Sequence, residues 1–307
     1  MENTVPYKNK RTRIKLDPID AVIRGATYVI VSLMAVTCIF PFLLMIGSSF
    51  SSENSIRLTG FALIPPEFST FAYEVIFRSP KSLMGAYAVT AILTVVGTAV
   101  GLFIIAMTGY ALQRKDFPLR NAISFFIYFT SLFSAGLVPF YLLMVQTYKL
   151  RDSYLAILLP LLMSPWLIIL MKNFASAIPN EITESGKIDG FGDFQIFTKL
   201  IAPMMTPALA TIGLFLAVGY WNEWYFSSLF LTSKTQYRPL QYQLYRIINQ
   251  IEALRNSYAG SVVRLTDLPG ETLKMATAVL ATGPVILIYP FVQKYFVAGL
   301  TVGAVKG

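Results

Sequence analysis

Long apolar stretches without a charged residue alternate with polar segments along the whole chain. Each stretch is close in length to the ~20 residues that a helix needs to cross ~30 Å of hydrocarbon. Because a helix satisfies its own backbone hydrogen bonds in lipid, the pattern predicts an all-α membrane protein with about six transmembrane helices. The stretches cover residues 26–50, 83–112, 121–148, 153–171, 200–222 and 275–293.

Composition supports the same class of protein. The 307 residues are 55% hydrophobic and only 13% charged, which is typical of membrane proteins. The net charge is +9, but the basic residues form no stripe, so nucleic acid is not an expected partner. The chain has no histidine, and its one cysteine, Cys38, lies inside the first stretch, so we expect neither a metal site nor a disulfide framework. The first stretch is also too long for a signal-peptide core and lacks a cleavage site, so we expect a retained helix.

The distribution of Lys and Arg predicts the orientation in the membrane. The first 25 residues hold six basic residues and the 113–120 link holds three, which places both in the cytoplasm. With six spans, the carboxyl terminus and the 172–200 segment are also cytoplasmic. The segments 51–82 and 232–274 are then extracellular loops.

The apolar stretches carry interruptions that predict how the helices pack. The chain shows no low-complexity tract or internal repeat, so residues 1–307 are predicted to form one transmembrane domain. The amphipathic piece Phe71–Phe77 is expected to lie along the outer interface. Gly97 and Gly101 form a GxxxG face on which another helix can approach closely. Prolines predict kinks at Pro41, Pro139, Pro160, Pro165, Pro203, Pro207, Pro284 and Pro290.

The polar segment between the fourth and fifth stretches predicts two short helices around a sharp bend. Asn180 can cap the first helix, which should run about ten residues to Asp189. Gly190 then offers the left-handed backbone that ends a helix. Asp193 can cap a second helix that leads into the fifth stretch. Such a bend at the membrane surface is suited to docking a partner, although an ordinary interfacial loop helix has the same pattern.

This segment resembles the EAA motif of permease subunits of ABC importers, whose pattern is E-A-A-x-x-x-G with L-P further along. The Asp-Gly pair at 189–190 is frequent in that family. Both alanines of the motif are replaced by small residues, and the glycine among them weakens the helix by up to ~1 kcal/mol relative to alanine. Glu184, Asp189, Gly190 and Pro203 match the motif in register, Ser185 and Gly186 replace its alanines, and Ala202 replaces its leucine.

Further motifs extend the resemblance over nearly the whole chain. The sequence YALQR at 110–114 resembles the A-Y-A-L-x-R end of the second span in carbohydrate-uptake permeases, and GLVPFY at 136–141 resembles their G-x-x-P-x-Y signature. The sequence WNE at 221–223 resembles their W-N-[DE], and residues 289–307 are similar to the end of LplC-like permeases. The chain is identified as a member of the carbohydrate-uptake (MalG/LplC-like) family of binding-protein-dependent ABC importer permeases.

The resemblance implies a type I ABC importer permease fold in the bacterial plasma membrane, with a cytoplasmic coupling helix at 180–190. The implied partners are a second homologous permease subunit that completes a heterodimer, two cytoplasmic ATPase subunits, an extracellular solute-binding lipoprotein, membrane lipid and an oligosaccharide cargo. Because this chain has no GxxxxGK[ST] phosphate loop, it is not an enzyme and binds no cofactor, and ATP and Mg belong to the ATPase subunits. The implied coupling residues are Glu184, Ser185, Gly186, Asp189, Gly190 and Pro203.

Two further groups of residues are candidates for contact with cargo. The first group would line the translocation path or brace its outer gate, and an aromatic belt at the interface with a hydrated Glu223 is the alternative. The second group would reach into the binding protein, and a plain surface-contact loop is the alternative. The first group is Trp221, Asn222, Glu223, Trp224 and Tyr225, and the second is Gln236, Tyr237, Arg238, Gln241, Tyr242 and Gln243.

Three other functions are compatible with parts of the pattern. A permease of the same architecture could import an amino acid, a peptide or another solute, although the W-N-E and carboxyl-terminal motifs disfavour it. An intramembrane enzyme needs a catalytic His, Cys or Asp pair within the spans, which the chain lacks. An ion-coupled secondary transporter needs buried acidic residues in several spans, whereas Glu223 is nearly alone.

Overall fold

The computed structural model describes residues 18–78, 80–232, 237–257 and 270–304. Helices make up the regular structure of these residues, beside an isolated antiparallel bridge between Ser51 and Phe68. The prediction of an all-α protein is confirmed. The helices are α1 (Pro18–Ser49), α2 (Glu53–Thr59), α3 (Phe71–Phe77), α4 (Pro80–Gln113), α5 (Arg120–Leu132), α6 (Leu137–Leu142), α7 (Leu155–Leu162), α8 (Pro165–Ala175), α9 (Asn180–Ile188), α10 (Asp193–Gln195), α11 (Ala202–Met204), α12 (Thr206–Trp221), α13 (Tyr225–Phe230), α14 (Leu240–Ser257) and α15 (Glu271–Ala304), with π-helical turns at Leu143–Thr147 and Ile196–Ile201.

Two helices are individually long and apolar enough to cross a membrane: Val22–Ser49 within α1, and all of α4. Three bent pairs pass the same test jointly, so by length and composition the described residues contain between two and five candidate spans. The sixth predicted stretch lies within α15, a continuous helix of 34 residues with two internal prolines. The count of six spans therefore stays a prediction.

Two of the predicted stretches are sharply bent rather than straight. The third stretch breaks between α5 and α6 with a bend of 114°, where Gly136 has a φ of 88° and Pro139 follows in the first turn of α6. The fifth breaks at Met205 with a bend of 87°, between Pro203 and Pro207. Since proline cannot donate a backbone hydrogen bond, the helix is weakest at these places.

Helix α4 lies at the centre of the fold, in contact with α5, α7, α8, α12 and α14. The ring of Tyr220 packs directly on Gly97, and its hydroxyl donates to the Leu158 carbonyl at 2.9 Å. Gly101 faces the carbonyl of Leu162, where a Cβ atom would lie only 3.1 Å from the oxygen. The GxxxG face is therefore used within the chain, for close packing against α12 and α7.

The outermost helix is α1, whose apolar side chains are exposed from Ile19 to Leu43 and which packs on α15. A helix that is apolar on all sides and is not covered by the rest of the chain is suited to contact with lipid or with a partner subunit. By contrast, the largest buried cluster surrounds the Gln113 end of α4. It joins Ile105 and Tyr110 to Met171 of α8, Ile196 and Ile212, and so attaches the 172–200 segment to α4.

Candidate functional site

Helix α9 forms the predicted first arm of the coupling segment (residues 172–200). It begins after Pro179, whose extended backbone occupies the cap position, so the prediction that Asn180 caps the helix is wrong. The predicted left-handed residue is present, because Gly190 has a φ of 78°. The Gly190 amide donates to the Lys187 carbonyl at 3.1 Å and the Phe191 amide to the Gly186 carbonyl at 2.9 Å, which is the Schellman pattern of helix ends.

One face of α9 points away from the rest of the chain. Glu184, Ser185 and Asp189 are exposed, and the Glu184 side chain makes no hydrogen bond or ion pair with any described residue. Ile188 is 86% exposed at the end of the helix, next to these polar side chains. Sequence reasoning did not single out Ile188, although its position just before Asp-Gly places it at the tip of the bend.

Gly186 and Ser185, the two replacements for the alanines of the motif, face opposite directions. Gly186 is buried, and a Cβ atom there would lie 2.8 Å from Leu200 Cδ1 and 3.1 Å from Ile196 Cγ1. The close approach at Gly186 is therefore to the helical segment that follows the Gly190 bend in the same chain, which we call the second arm. Glycine at this position lets the arms pack together, which explains its presence where the family has alanine.

The second arm starts at α10 and continues through the π-helical turn Ile196–Ile201 towards Pro203, which is exposed. Its cap position is occupied by Gly192, and Asp193 makes no capping hydrogen bond, so that prediction is wrong. The Asp193 carboxylate instead accepts a hydrogen bond from Arg114 Nη1 at 2.6 Å.

Arg114, Asp116, Lys187 and Asp193 form what we call the ion network. Arg114 donates to both oxygens of Asp116, and Lys187 Nζ donates to Asp116 Oδ2 at 2.9 Å. The hydrogen bonds from Arg114 and then from Lys187 hold the pKa of Asp116 well below its usual range. Sequence analysis noted Arg114 only as part of a motif. Among the described residues no group of three His, Cys, Asp or Glu side chains could hold a metal ion.

Glu223 lies in the bend between α12 and α13, and its side chain points into the protein. Its carboxylate accepts hydrogen bonds from the Phe226 amide at 2.5 Å, from the Ser227 amide at 3.3 Å and from Ser227 Oγ at 2.5 Å. The residue is buried, so the alternative of a hydrated Glu223 is wrong. It caps the start of α13 and holds the bend.

Exposed aromatic side chains lie beside this bend, and two of them, Trp224 and Tyr245, line a cavity. Trp224 lies with its ring centroid 5.0 Å from that of Tyr245 in α14, and Tyr225 packs edge-on against Trp224. Asn222 Oδ1 accepts from Gln241 Nε2 at 3.2 Å. The cavity has a volume of about 290 Å³ and is lined by Trp224, Gln241, Leu244, Tyr245, Ile248, Lys274, Thr277, Ala278 and Ala281. Trp221 donates from Nε1 to the carbonyl of Ala281, one of these lining residues, at 3.0 Å.

The predicted binding-protein loop is largely docked on its own chain. Gln236 lies outside the described residues, and 240–257 is helical rather than a loop. The Tyr237 ring packs on Gly85 of α4, and the Leu240 amide donates to Thr90 Oγ1 at 2.7 Å. The remaining residues are also anchored: Arg238 donates to the Thr232 carbonyl, Gln241 to Asn222, Gln243 to Ser82 Oγ, and Tyr242 packs on the cluster of Leu93, Ile157 and Leu231.

Glu53 forms a junction that sequence analysis missed, which we call the Glu53 anchor. The buried carboxylate accepts from the amides of Gly270 at 2.9 Å, Glu271 at 3.3 Å and Thr272 at 3.1 Å, at the start of α15. Burial raises the pKa of Glu53, but the three backbone hydrogen bonds and the one from the Thr272 hydroxyl together outweigh it and leave the pKa lowered. These three donors are main-chain groups more than 200 residues away, so no sequence pattern marks them.

Known proteins with similar sequences are transporter subunits. The chain is 38% identical over 281 residues to the polygalacturonan/rhamnogalacturonan transport system permease protein YtcP of Bacillus subtilis, covering 90% of this chain and 95% of YtcP. It is 35% identical to Protein LplC of the same organism, covering 88% of this chain and 90% of LplC.

A solved structure and a family model agree with these relatives. A chain in the crystal structure of a bacterial ABC transporter involved in the import of the acidic polysaccharide alginate superposes with a TM-score of 0.75 at 29% identity, covering 92% of this chain and 99% of that one. The type I ABC permease fold is confirmed. Residues 101–302 match the model for the binding-protein-dependent transport system inner membrane component. This chain therefore belongs to that family of ABC transporter permeases.

Proposed function

We propose that this chain is one of two permease subunits of an ATP-driven importer that takes up oligosaccharides delivered by a binding protein. Its partners are a second homologous permease, two cytoplasmic ATPase subunits that bind ATP and Mg, and an extracellular solute-binding lipoprotein. The support is membership of the permease family together with the open face of α9. The chain supplies half of the path, and the ATPase subunits supply the chemistry.

The observation that carries this proposal is the position of α9. The helix presents Glu184, Ser185 and Ile188 outward, while its other face packs on the second arm through Gly186. An exposed apolar tip between polar side chains suits a cleft on a partner protein. Glu184 would pair there with a basic group, and the Gly190 bend would hold α9 at the required angle.

In this proposal the coupling segment faces the cytoplasm, as do the amino-terminal 25 residues and the carboxyl terminus. The basic residues of the amino-terminal segment and of the 113–120 link support this orientation. The junctions at Glu53 and Glu223 then lie on the extracellular side, where the binding protein docks. Residues 237–243 would form part of that docking surface.

Replacing Gly190 tests the coupling role directly. At a φ of 78° a β-branched residue is strained by roughly 1–2 kcal/mol or more. We expect Gly190→Val to leave the amount of assembled complex largely intact and to abolish cargo uptake in proteoliposomes. Gly192→Val is the matched control, because Gly192 has an ordinary φ of −70° and no atom within 4 Å of the added Cβ. If Gly190→Val transports at the wild-type rate, the coupling assignment is wrong.

The similar proteins favour a carbohydrate cargo over an amino acid or a peptide. YtcP is named for polygalacturonan and rhamnogalacturonan, and the solved transporter imports alginate. The test is ATP hydrolysis by the reconstituted complex with its binding protein. We expect stimulation by an oligosaccharide from a panel that includes alginate, polygalacturonan and maltodextrin fragments. Stimulation by amino acids or peptides alone would favour the alternative cargo.

The cavity lined by Trp224 and Tyr245 is the proposed contact with this cargo at the outer gate. An aromatic face can pack against the C–H face of a sugar ring, while the Asn222–Gln241 pair offers amide groups to its hydroxyls. In this proposal Trp221 and Glu223 brace the gate from below, and Tyr225 supports Trp224. Trp224→Ala should raise the cargo concentration for half-maximal uptake by about tenfold, and Tyr245→Phe, which keeps the ring, by less than about threefold.

A further inference from the structure

Arg114 joins α4 to the coupling segment through charged contacts that the proposed function does not yet use. It directly follows the last residue of α4, Gln113. From there its guanidinium donates to Asp193 at 2.6 Å through Nη1, and to Asp116 at 2.8 Å through Nε. One side chain thus connects the end of the central helix to the second arm of the coupling segment.

The first arm, α9, is also connected to Arg114, through Asp116. Lys187 of α9 donates to Asp116 Oδ2 at 2.9 Å, and Asp116 is already held by Arg114. The two arms that flank the Gly190 bend are therefore both tied to the end of α4, α9 through Lys187 and α10 through Asp193. The hydrogen bond to Asp116 also raises the pKa of Arg114 above its usual range.

The Arg114 guanidinium is backed by α4 itself. Its side chain is only 14% exposed and lies 5.9 Å from the ring centroid of Tyr110. That ring packs on Phe197 of the second arm at 5.6 Å, and the Tyr110 hydroxyl lies 3.5 Å from Thr183 Oγ1 of α9. A planar guanidinium can hold two carboxylates in fixed directions, which a lysine ammonium cannot do. The site therefore uses the specific geometry of arginine.

We infer that Arg114 is a positioning residue for energy coupling, and this inference rests on the proposed function. Together with Asp116 it holds both arms of the coupling segment against the end of α4. A displacement of α9 by the ATPase subunits is then transmitted to α4, which contacts the helices at the centre of the fold. Without these ion pairs, the coupling segment is held to α4 by apolar packing alone, so a smaller part of its displacement reaches α4.

The positioning role of Arg114 can be tested by replacing its exposed partners, which leaves the buried core unchanged. The Asp193 side chain is 70% exposed, and those of Lys187 and Asp116 are about half exposed. Exposed ion pairs contribute little to folding. The double variant Asp193→Asn/Lys187→Gln removes the ties to both arms and leaves the Arg114–Asp116 pair in place.

The control removes the same two charges elsewhere on the proposed cytoplasmic side. Asp20→Asn/Lys115→Gln neutralises one exposed acid and one exposed base, and neither side chain has a hydrogen bond or ion pair to the described part of the chain. Both variants are assembled with the partner permease, the ATPase subunits and the binding protein in proteoliposomes. Cargo uptake and ATP hydrolysis are measured on the same vesicles.

We expect Asp193→Asn/Lys187→Gln to lower the cargo imported per ATP hydrolysed by roughly threefold or more, the scale that two lost ion pairs allow. The control should keep the wild-type ratio. Asp193→Glu/Lys187→Arg keeps both charges and should restore most of it.

A wild-type ratio in the double variant, or an equal loss in the control, would overturn the role of Arg114. A double variant that fails to assemble would also overturn it, because the network would then serve folding. If the wild-type complex itself shows no cargo-dependent ATP hydrolysis, it is the proposed function that fails.

Discussion

The Glu53 anchor and the ion network both tie a short segment to a long helix, but they do so with different chemistry. At the Glu53 anchor a buried carboxylate accepts several backbone hydrogen bonds at the start of α15. In the ion network, partly exposed side chains of opposite charge meet at the Gln113 end of α4. Buried acceptors are costly to break, whereas exposed ion pairs exchange readily with water. The contrast indicates a fixed junction on one side and an adjustable one on the other.

Glu53→Ala should give the largest effect on stability. It leaves three amides at the start of α15 without an acceptor, two of them buried, and removes the partner of Arg57. We expect a loss of about 3 kcal/mol, or roughly 5–10 °C in the unfolding temperature of the detergent-solubilised protein. Glu74→Ala, which removes an exposed carboxylate on the same side, should change it little. Equal effects of the two variants would contradict a fixed junction at Glu53.

Glu223→Gln should have a smaller effect on stability. The amide oxygen can still accept from the Phe226 and Ser227 amides, while the new NH2 group must donate to Ser227 Oγ, and the negative charge that strengthened all three hydrogen bonds is lost. We expect a loss of about 1–2 kcal/mol, measured by the same thermal unfolding. Ser227→Ala in the Glu223→Gln background should add a further loss, since it removes the acceptor of the new NH2 group. A double variant as stable as Glu223→Gln alone would argue against this cap.

The stability contributed by Glu53 should depend on pH in a defined direction. Its pKa in the folded protein is lower than the ordinary value of 4.5, so the unfolded chain binds the proton more readily. The contribution is therefore fully present above about pH 4.5 and is lost as the pH falls through the lowered pKa. Between pH 7 and pH 3.5, wild type should lose more thermal stability than Glu53→Gln. Parallel losses would show that Glu53 does not contribute to the acid response.

The smallest effect on stability is expected from Asp193→Asn in the ion network. This variant removes one exposed ion pair and should cost about 0.2–1 kcal/mol, and less at high salt. Thermal unfolding at low and high ionic strength would check both points. A loss as large as that of Glu53→Ala would remove the distinction between the two junctions.

The sequence predicted those features that depend on local chemistry. The apolar stretches predicted an all-α protein, and Gly190 was placed correctly in the left-handed region, because a glycine after a short polar helix is a specific local signal. The predicted N-cap residues were wrong for both arms of the coupling segment. Pro179 and Gly192, each one residue earlier, take the extended backbone that Asn180 and Asp193 were expected to adopt.

Two features that the sequence did not predict depend on partners far along the chain. Glu53 is held by main-chain amides, which every residue except proline carries, so composition gives no sign of them. In the sequence, Asp193 has the pattern of a helix cap. In the fold, its carboxylate accepts a hydrogen bond from Arg114, which is 79 residues away along the chain. The kink predicted at Pro139 is present, but its size was not predicted: the bend is 114°, and Gly136 adds a left-handed residue to it.

The central claim, that α9 transmits movement from the ATPase subunits, can be tested most directly by cross-linking. In a Cys38→Ala background, a cysteine replaces Ile188, which is 86% exposed at the end of α9, or Ile64, which is 83% exposed on the opposite side in this account. With a short thiol-reactive cross-linker, Ile188→Cys should join an ATPase subunit in the assembled complex, and Ile64→Cys should not. Cross-linking of Ile64→Cys instead, or of Ile188→Cys only to the extracellular binding protein, would contradict the account.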